Sequence, residues 1–210
     1  MKTIALMGAA ALAVMASAAS AAPTVSFAAG SGATAAGTAV FQNFESYEPG
    51  TSIGANTNVY NTSVGGIAAR PAYGSTGNFA AVLGGGSYTL NFAATNVFSF
   101  VLGSLDTYNS LKLLFSDNSS LTYQGGQIIN DLSFPSGNQI SGETNGVVTF
   151  NANGGPKIVG ATFQSTGNSF EFDNLARGGV PEPATWALMI LGFGAIGGAL
   201  RRRQHKLAFA

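Results

Sequence analysis

Seven short runs with the length and composition of β-strands occupy most of residues 87–176. Each run is apolar or alternates apolar with polar residues, and turn-forming pairs such as Asn145-Gly146 separate them. No helical period occurs in this region, so no helix is available to cross over a parallel sheet. The pattern predicts an all-β fold, an antiparallel β-sandwich of the jelly-roll type. The runs are 87–92, 97–105, 110–116, 120–125, 146–152, 157–165 and 169–176.

The apolar residues of these runs predict a phenylalanine-rich core. The chain has 15 phenylalanines and one tryptophan, and each buried ring is expected to contribute about 2 kcal/mol. Three consecutive glycines at 84–86 are expected to form a turn, and the low-complexity stretch 28–39 a flexible lead-in or an edge strand. The predicted core residues are Phe92, Phe98, Phe100, Leu113, Phe115, Phe150, Ile158, Phe163, Phe170 and Phe172.

The N-terminus has the organisation of a secretory signal peptide. Lys2 precedes an apolar run from Ile4 to Ala16, and small residues at 19–21 fit a cleavage site. The run is shorter than the ~20 residues that a membrane span normally needs, which argues against a membrane anchor as the alternative. We therefore predict a signal peptide at 1–21, export of the chain, and a β-sandwich domain at 22–178.

The C-terminus combines two prolines, a short apolar run and a basic cluster. Each proline biases its neighbourhood toward extended backbone, so residues 180–183 are expected to be strand-like and open to a protease. The run 184–200 is uncharged and, as a helix, would rise about 25 Å, near the lower limit for a transmembrane helix. Trp186 suits one membrane interface, and the basic tail 201–206 suits the cytoplasmic side.

This tail closely resembles the PEP-CTERM sorting signal in its PEPxxWA form. The matching residues are Val180, Pro181, Glu182, Pro183, Trp186, Ala187, Arg201, Arg202 and Arg203, within a predicted signal at 179–206. The resemblance implies processing by exosortase, a multi-spanning membrane enzyme similar to cysteine transpeptidases, and export toward a polysaccharide-rich cell surface or matrix. The alternative is a stop-transfer anchor that is never cleaved.

The body resembles, more loosely, the carbohydrate-binding sandwiches that often precede such a tail. The resemblance rests on the segments 41–51 and 170–176. Modules of this kind often hold a structural calcium ion where the first and last strands meet, which would make Glu45, Asp173 and Asn174 its ligands. Solvated strand ends are the alternative interpretation of these three residues.

The sequence offers little for catalysis or nucleic-acid binding. The chain has no cysteine, and its one histidine, His205, lies beyond the predicted membrane helix, which excludes Ser-His-Asp and zinc chemistry in the body. Asp106 and Asp131, each next to a loop, are the candidate carboxylate pair for a glycosidase. Residues 22–179 carry four basic and eight acidic residues, so a nucleic acid is not an expected partner.

Sugar binding is the alternative function with the most specific residues. The loop 103–110 is predicted to expose Asp106, Tyr108 and Asn109 together, one aromatic face with two polar groups. An ice-binding protein is a further alternative, although the threonines of 51–63 lack strict spacing. The sequence thus predicts a non-enzymatic exported β-protein without a required cofactor, sorted by exosortase through the inner membrane and associated with exopolysaccharide.

Overall fold

In the residues that a computed structural model of the chain describes, the fold consists of ten antiparallel β-strands, a short 3-10 helix (Gly125–Ile128) and a C-terminal α-helix. The structure describes residues 22–178 and 183–205, so the predicted signal peptide at 1–21 and residues 179–182 and 206–210 lie outside the described residues. The elements are β1 (Thr24–Ala29), β2 (Thr38–Gln42), β3 (Ser52–Tyr60), β4 (Phe79–Thr95), β5 (Val97–Leu102), β6 (Asn109–Phe115), β7 (Ser120–Gln124), β8 (Gly146–Asn151), β9 (Ile158–Ser165), β10 (Phe170–Gly178) and α1 (Pro183–His205).

The strands form one curled sheet with the shape of a half-barrel. Its order is β1-β8-β5-β10-β4-β9-β6-β7, with β2 paired to β10 and β3 to β4. The all-β antiparallel prediction is confirmed, but the predicted jelly-roll sandwich must be corrected to one continuous sheet. The reason is β4, which has 17 residues and pairs with β10 near its start and with β9 along its second half. It therefore joins the two sheets that a sandwich would keep apart.

The glycine run within β4 was expected to be a turn, and that prediction is wrong. Gly84, Gly85 and Gly86 lie inside the strand, where its pairing passes from β10 to β9. Gly85 has a φ of +73°, and a Cβ on Gly86 would lie 2.7 Å from the carbonyl oxygen of Ala55. Glycine relieves both restrictions, so the run lets a single long strand bend with the curled sheet.

The concave face of the sheet holds the predicted phenylalanine core. In β6, Leu111, Leu113 and Phe115 are buried and alternate with half-buried residues, as expected for a strand with one face toward a core. Nine of the ten predicted core residues are buried, and the tenth, Phe92, is half-buried and packs against the same cluster. The core prediction is therefore confirmed.

A second, smaller apolar cluster lies on the other face of the sheet. It contains Ala68, Phe79 and Ala81, because the connection between β3 and β4 folds back over this face. The buried side chain of Asn145 fixes this connection to the loop before β8: its Oδ1 accepts a hydrogen bond from the amide of Ala72 at 3.1 Å, and its Nδ2 donates to the carbonyl of Asn138 at 2.9 Å. Residues on the outer face of β10 are consequently covered.

The helix α1 starts at Pro183, and proline is well tolerated at a first helical position. Its large apolar side chains between Leu188 and Leu200 are exposed. Four glycines interrupt the apolar sequence of α1, and three arginines follow that sequence. Within the described part of the chain, no helix has the length and apolar content needed to cross a membrane, so the transmembrane helix predicted at 184–200 is not confirmed.

Candidate functional site

A polar cavity of about 170 Å³ lies beside the start of β10. Four separate parts of the chain line it: the connection before β4, the loop after β5, the loop before β8, and the turn that leads into β10. Residues far apart in sequence thus meet because antiparallel neighbours bring their loops to one end of the sheet. The two carboxylates in its lining are Asp106 and Glu171.

Glu171 is the most deeply buried polar group of the cavity, with 2% of its surface exposed. It lies between Phe170 and Phe172, which face the core, and so points to the opposite face of β10. Its Oε1 accepts hydrogen bonds from the amide of Ala69 at 2.7 Å and from the hydroxyl of Ser169. Burial raises the pKa of this carboxyl from 4.5 to about 7.

The other oxygen of the same carboxylate has no hydrogen-bond partner among the described residues. Buried polar atoms are nearly always paired, since leaving one unpaired costs about 1–3 kcal/mol. The sequence did not single out Glu171. In the sequence, Glu171 is a charged residue between two phenylalanines, and this alternation normally predicts that the charged side chain faces solvent.

The loop 103–110, predicted to expose Asp106, Tyr108 and Asn109 together, has this arrangement only in part. Asp106 and Tyr108 both line the cavity, and the Tyr108 hydroxyl donates to the carbonyl of Asn168 at 2.5 Å. Burial, assisted by Asp106, raises the pKa of Tyr108. The expected joint exposure is wrong, however, because Asp106 is 8% exposed and Asn109 is completely buried.

Hydrogen bonds account for the burial of the two polar side chains. The Asp106 Oδ1 accepts from the hydroxyl of Ser136 at 3.0 Å. Asn109 begins β6, and its Oδ1 accepts from the hydroxyl of Ser165 at 2.9 Å. Asp106 was placed in the loop correctly, whereas Asn109 belongs to the strand β6. The hydrogen-bond partners of both side chains come from distant segments that the sequence does not connect to them.

The predicted glycosidase pair is not brought together in the cavity. Asp131 is exposed, and its Oδ1 accepts a hydrogen bond from the amide of Ser133 at 2.8 Å within its own loop. It does not contribute to the cavity lining, whereas Asp106 does. The carboxylate that shares the cavity with Asp106 is Glu171.

The predicted calcium ligands lie in a different place, around the outer side of β10. Asp173 is 2% exposed and Glu45 is exposed. Burial raises the pKa of Asp173 to about 6, and the negative charge of Glu45 contributes in the same direction. The Nδ2 of Asn174 donates a hydrogen bond to the carbonyl of Gly74 at 2.8 Å. Calcium binding by these three residues stays a prediction.

In the part of the chain that the structure covers, no three acidic, histidine or cysteine side chains converge as a metal-binding group. Glu45 and Asp173 supply two carboxylates on the outer side of β10, and no third acidic, histidine or cysteine side chain of the described residues joins them. The same applies to Asp106 and Glu171. Any ion at either place would depend on neutral oxygens or water for its remaining ligands.

The sorting segment follows β10 almost directly. β10 ends at Gly178, and of the matching residues Pro183, Trp186, Ala187 and the three arginines belong to α1. Pro183 was predicted to end an extended stretch, but it begins the helix. Val180, Pro181 and Glu182 lie outside the described residues.

A comparison with protein-family models decides the nature of this tail. The model described as the PEP-CTERM protein-sorting motif matches residues 179–203. The chain carries a PEP-CTERM sorting motif. The PEP-CTERM motif indicates a secreted protein that is targeted by an exosortase and directed to the cell surface. No curated protein matches the chain significantly.

The PEP-CTERM motif covers only the tail, so the role of the body has to be argued from its own residues. The half-barrel presents a small polar cavity with two carboxylates, and one of them has an oxygen without a hydrogen-bond partner in the residues that the structure covers. The tail and the cavity are therefore two separate candidate sites of one chain.

Proposed function

We propose that this protein is an exported cell-surface or matrix protein whose tail an exosortase recognises and processes. The observation that carries the proposal is the PEP-CTERM motif at residues 179–203. The exposed apolar side chains of α1, such as Ile190 and Phe193, fit this role, because lipid or the membrane-embedded enzyme would cover them during processing. The N-terminal sequence 1–21 would provide export as a signal peptide.

The proposed role of the half-barrel is binding within the exopolysaccharide matrix, without catalysis. A glycosidase acid must come within about 3 Å of the bond it protonates. Glu171 is 2% exposed, and its cavity of about 170 Å³ is smaller than the roughly 300–1,000 Å³ of ordinary ligand pockets. Both observations favour a non-catalytic body.

A carbohydrate-binding function is the second candidate, favoured by Tyr108. This ring is half-buried at the cavity and lies beside polar groups of Asp106 and Asn168. An aromatic face with adjacent polar groups is the usual arrangement at a sugar site. We expect the protein to bind the native matrix polysaccharide saturably. Loss of this binding in Tyr108→Ala, with retention in Tyr60→Ala, would support this candidate.

The sorting proposal is tested by the intact mass of the protein recovered from the cell surface. We expect wild-type material to lack both residues 1–21 and the arginines 201–203. In a triple variant with alanine at 181, 182 and 183, we expect the C-terminal processing to be lost and the chain to remain with the membrane fraction, because the recognition segment is gone.

Two comparisons make this result specific to the motif. Gln204→Ala lies just outside the matched residues and should be processed like wild type. Deletion of the exosortase gene should reproduce the triple variant. Mature wild-type protein that still ends with its arginines, in cells with an active exosortase, would contradict the proposal.

A further inference from the structure

The unpaired oxygen of Glu171 is the first indication that the cavity has a ligand. Oε1 is already held by Ala69 and Ser169, which fixes the orientation of the carboxylate. Oε2 is then left without a hydrogen bond in the described chain, although Glu171 lines the cavity. A buried carboxylate oxygen in this position lacks a partner that a ligand would supply.

The charge of the cavity indicates the class of that ligand. Asp106 and Glu171 both line it, and no lysine, arginine or histidine among the described residues does. Arg70 is near in sequence, but its guanidinium donates to the carbonyl of Gly77 and lies over the ring of Phe79. Two carboxylates without a basic neighbour favour a positively charged ligand.

The size of the site and its neutral groups favour a hard metal ion over an organic cation or a sugar. The volume of about 170 Å³ can hold an ion with part of its water shell. Ser104 and Gln139 also line the cavity, and both carry side-chain oxygens that could join those of the two carboxylates as ligands. Ca²⁺ binds oxygens at about 2.3–2.6 Å, and it accepts water as part of a set of six to eight ligands.

We propose that the cavity lined by Asp106 and Glu171 is a binding site for a divalent cation of the Ca²⁺ type. Glu171 Oε2 and the Asp106 carboxylate are its charged ligands, and Ser104, Gln139 and water complete the set. With two carboxylates, the affinity should be weak, with a Kd of about 10⁻⁴–10⁻³ M, as in extracellular modules. This site is separate from the three residues Glu45, Asp173 and Asn174, and it does not depend on the sorting proposal.

Terbium luminescence tests the site directly, because Tb³⁺ replaces Ca²⁺ and is sensitised by a nearby tyrosine. Tyr108 lines the cavity. With the full-length protein in detergent, we expect Tb³⁺ emission on tyrosine excitation and its displacement by millimolar CaCl₂. Tyr108→Phe should lower the emission several-fold, while calorimetry should still detect Tb³⁺ binding.

Four carboxylate variants distinguish this site from other acidic groups. Glu171→Gln and Asp106→Asn should each weaken Tb³⁺ and Ca²⁺ binding at least tenfold. Asp131→Asn and Glu45→Gln should bind as wild type, since neither residue lines the cavity. Circular dichroism and the Tm of each variant establish that it is folded, and Asp106→Asn provides an independent measurement if Glu171→Gln does not fold.

Three outcomes would overturn the proposal. The first is unchanged binding in folded Glu171→Gln or Asp106→Asn. The second is loss of binding in Glu45→Gln with retention in Glu171→Gln, which would place the ion at the outer side of β10. An absence of Tb³⁺ and Ca²⁺ binding to the wild-type protein at 10 mM, well above the upper end of the expected Kd range of about 10⁻³ M, would refute it as well.

Discussion

Phe163→Ala is expected to lower the free energy of unfolding by about 3–5 kcal/mol, the range measured for deleting a buried ring and leaving a cavity. Phe163 is completely buried at the centre of the concave face. Its ring stacks on Phe172 with centroids 3.8 Å apart and meets Phe100 edge-on at 5.0 Å. Because β9, β10 and β5 all contribute to this cluster, the surrounding rings have little room to collapse into the space. Urea denaturation of the purified protein measures the loss.

Two further variants control for this measurement. Phe163→Leu keeps most of the volume and should cost less than Phe163→Ala. Leu132→Ala removes an apolar side chain that is 81% exposed and should change stability by no more than about 0.5 kcal/mol. If Phe163→Ala were as stable as Leu132→Ala, the assignment of Phe163 to the centre of the core would be wrong.

The stability of the wild-type protein should decrease between pH 4.5 and pH 7 through Glu171. Burial raises the pKa of its carboxyl from 4.5 to about 7 in the folded protein, so between these values the folded state retains a proton that the unfolded state has released. This contribution is fully present below pH 4.5, decreases as the pH rises, and is lost above pH 7. A pKa difference of this size between the unfolded and the folded protein changes the free energy of unfolding by about 3 kcal/mol.

Glu171→Gln isolates this contribution when unfolding is measured in a chelator from pH 4 to pH 8. The glutamine Oε1 can still accept from Ala69 and Ser169, and its amide does not titrate. We expect the variant to lack the decrease up to pH 7 and to be more stable than wild type at pH 8. Asp173, whose pKa is raised from 3.8 to about 6, should leave a smaller decrease at lower pH in both proteins.

The result would be contradicted if wild type and variant had parallel pH profiles. Asp173→Asn is the matched comparison on the same strand. It should remove the decrease between pH 3.8 and pH 6 and keep the one that ends near pH 7.

The strands that sequence analysis predicted are those with clear alternation of large apolar residues. β6, with Leu111, Leu113 and Phe115 on one face, is an example. β1 to β3 were not predicted as strands, because each contains only two or three large apolar residues. Residues 28–39 were open to two interpretations, and they contain the end of β1 and the beginning of β2.

The continuity of the sheet depends on β4, and in the sequence a run of three glycines interrupts the apolar residues of this strand. A glycine run ordinarily indicates a turn, but here the pairing with β3 continues on either side of it, at Val82 and at Ser87. Which partner a long strand takes along its length depends on distant segments. For this reason the strand content could be predicted, while one curled sheet in place of two could not.

The candidate site was predicted in part for a similar reason. Asp106 and Tyr108 were recognisable as polar residues of one loop between two strands. Glu171 was not, because its burial depends on the connection between β3 and β4 folding over the outer face. Alternation identifies which face of a strand a residue occupies, but it does not tell whether another segment covers that face.

The position of β10 also determines how the body would respond to mechanical tension on its tail. The tail begins immediately after β10, and the last residues of β10 are hydrogen-bonded to β2 on one side and β5 on the other. A pull along this strand would load those bonds in shear, so that several must break together. An attachment made through the C-terminus would therefore transmit tension to a strand that is hydrogen-bonded along both of its edges.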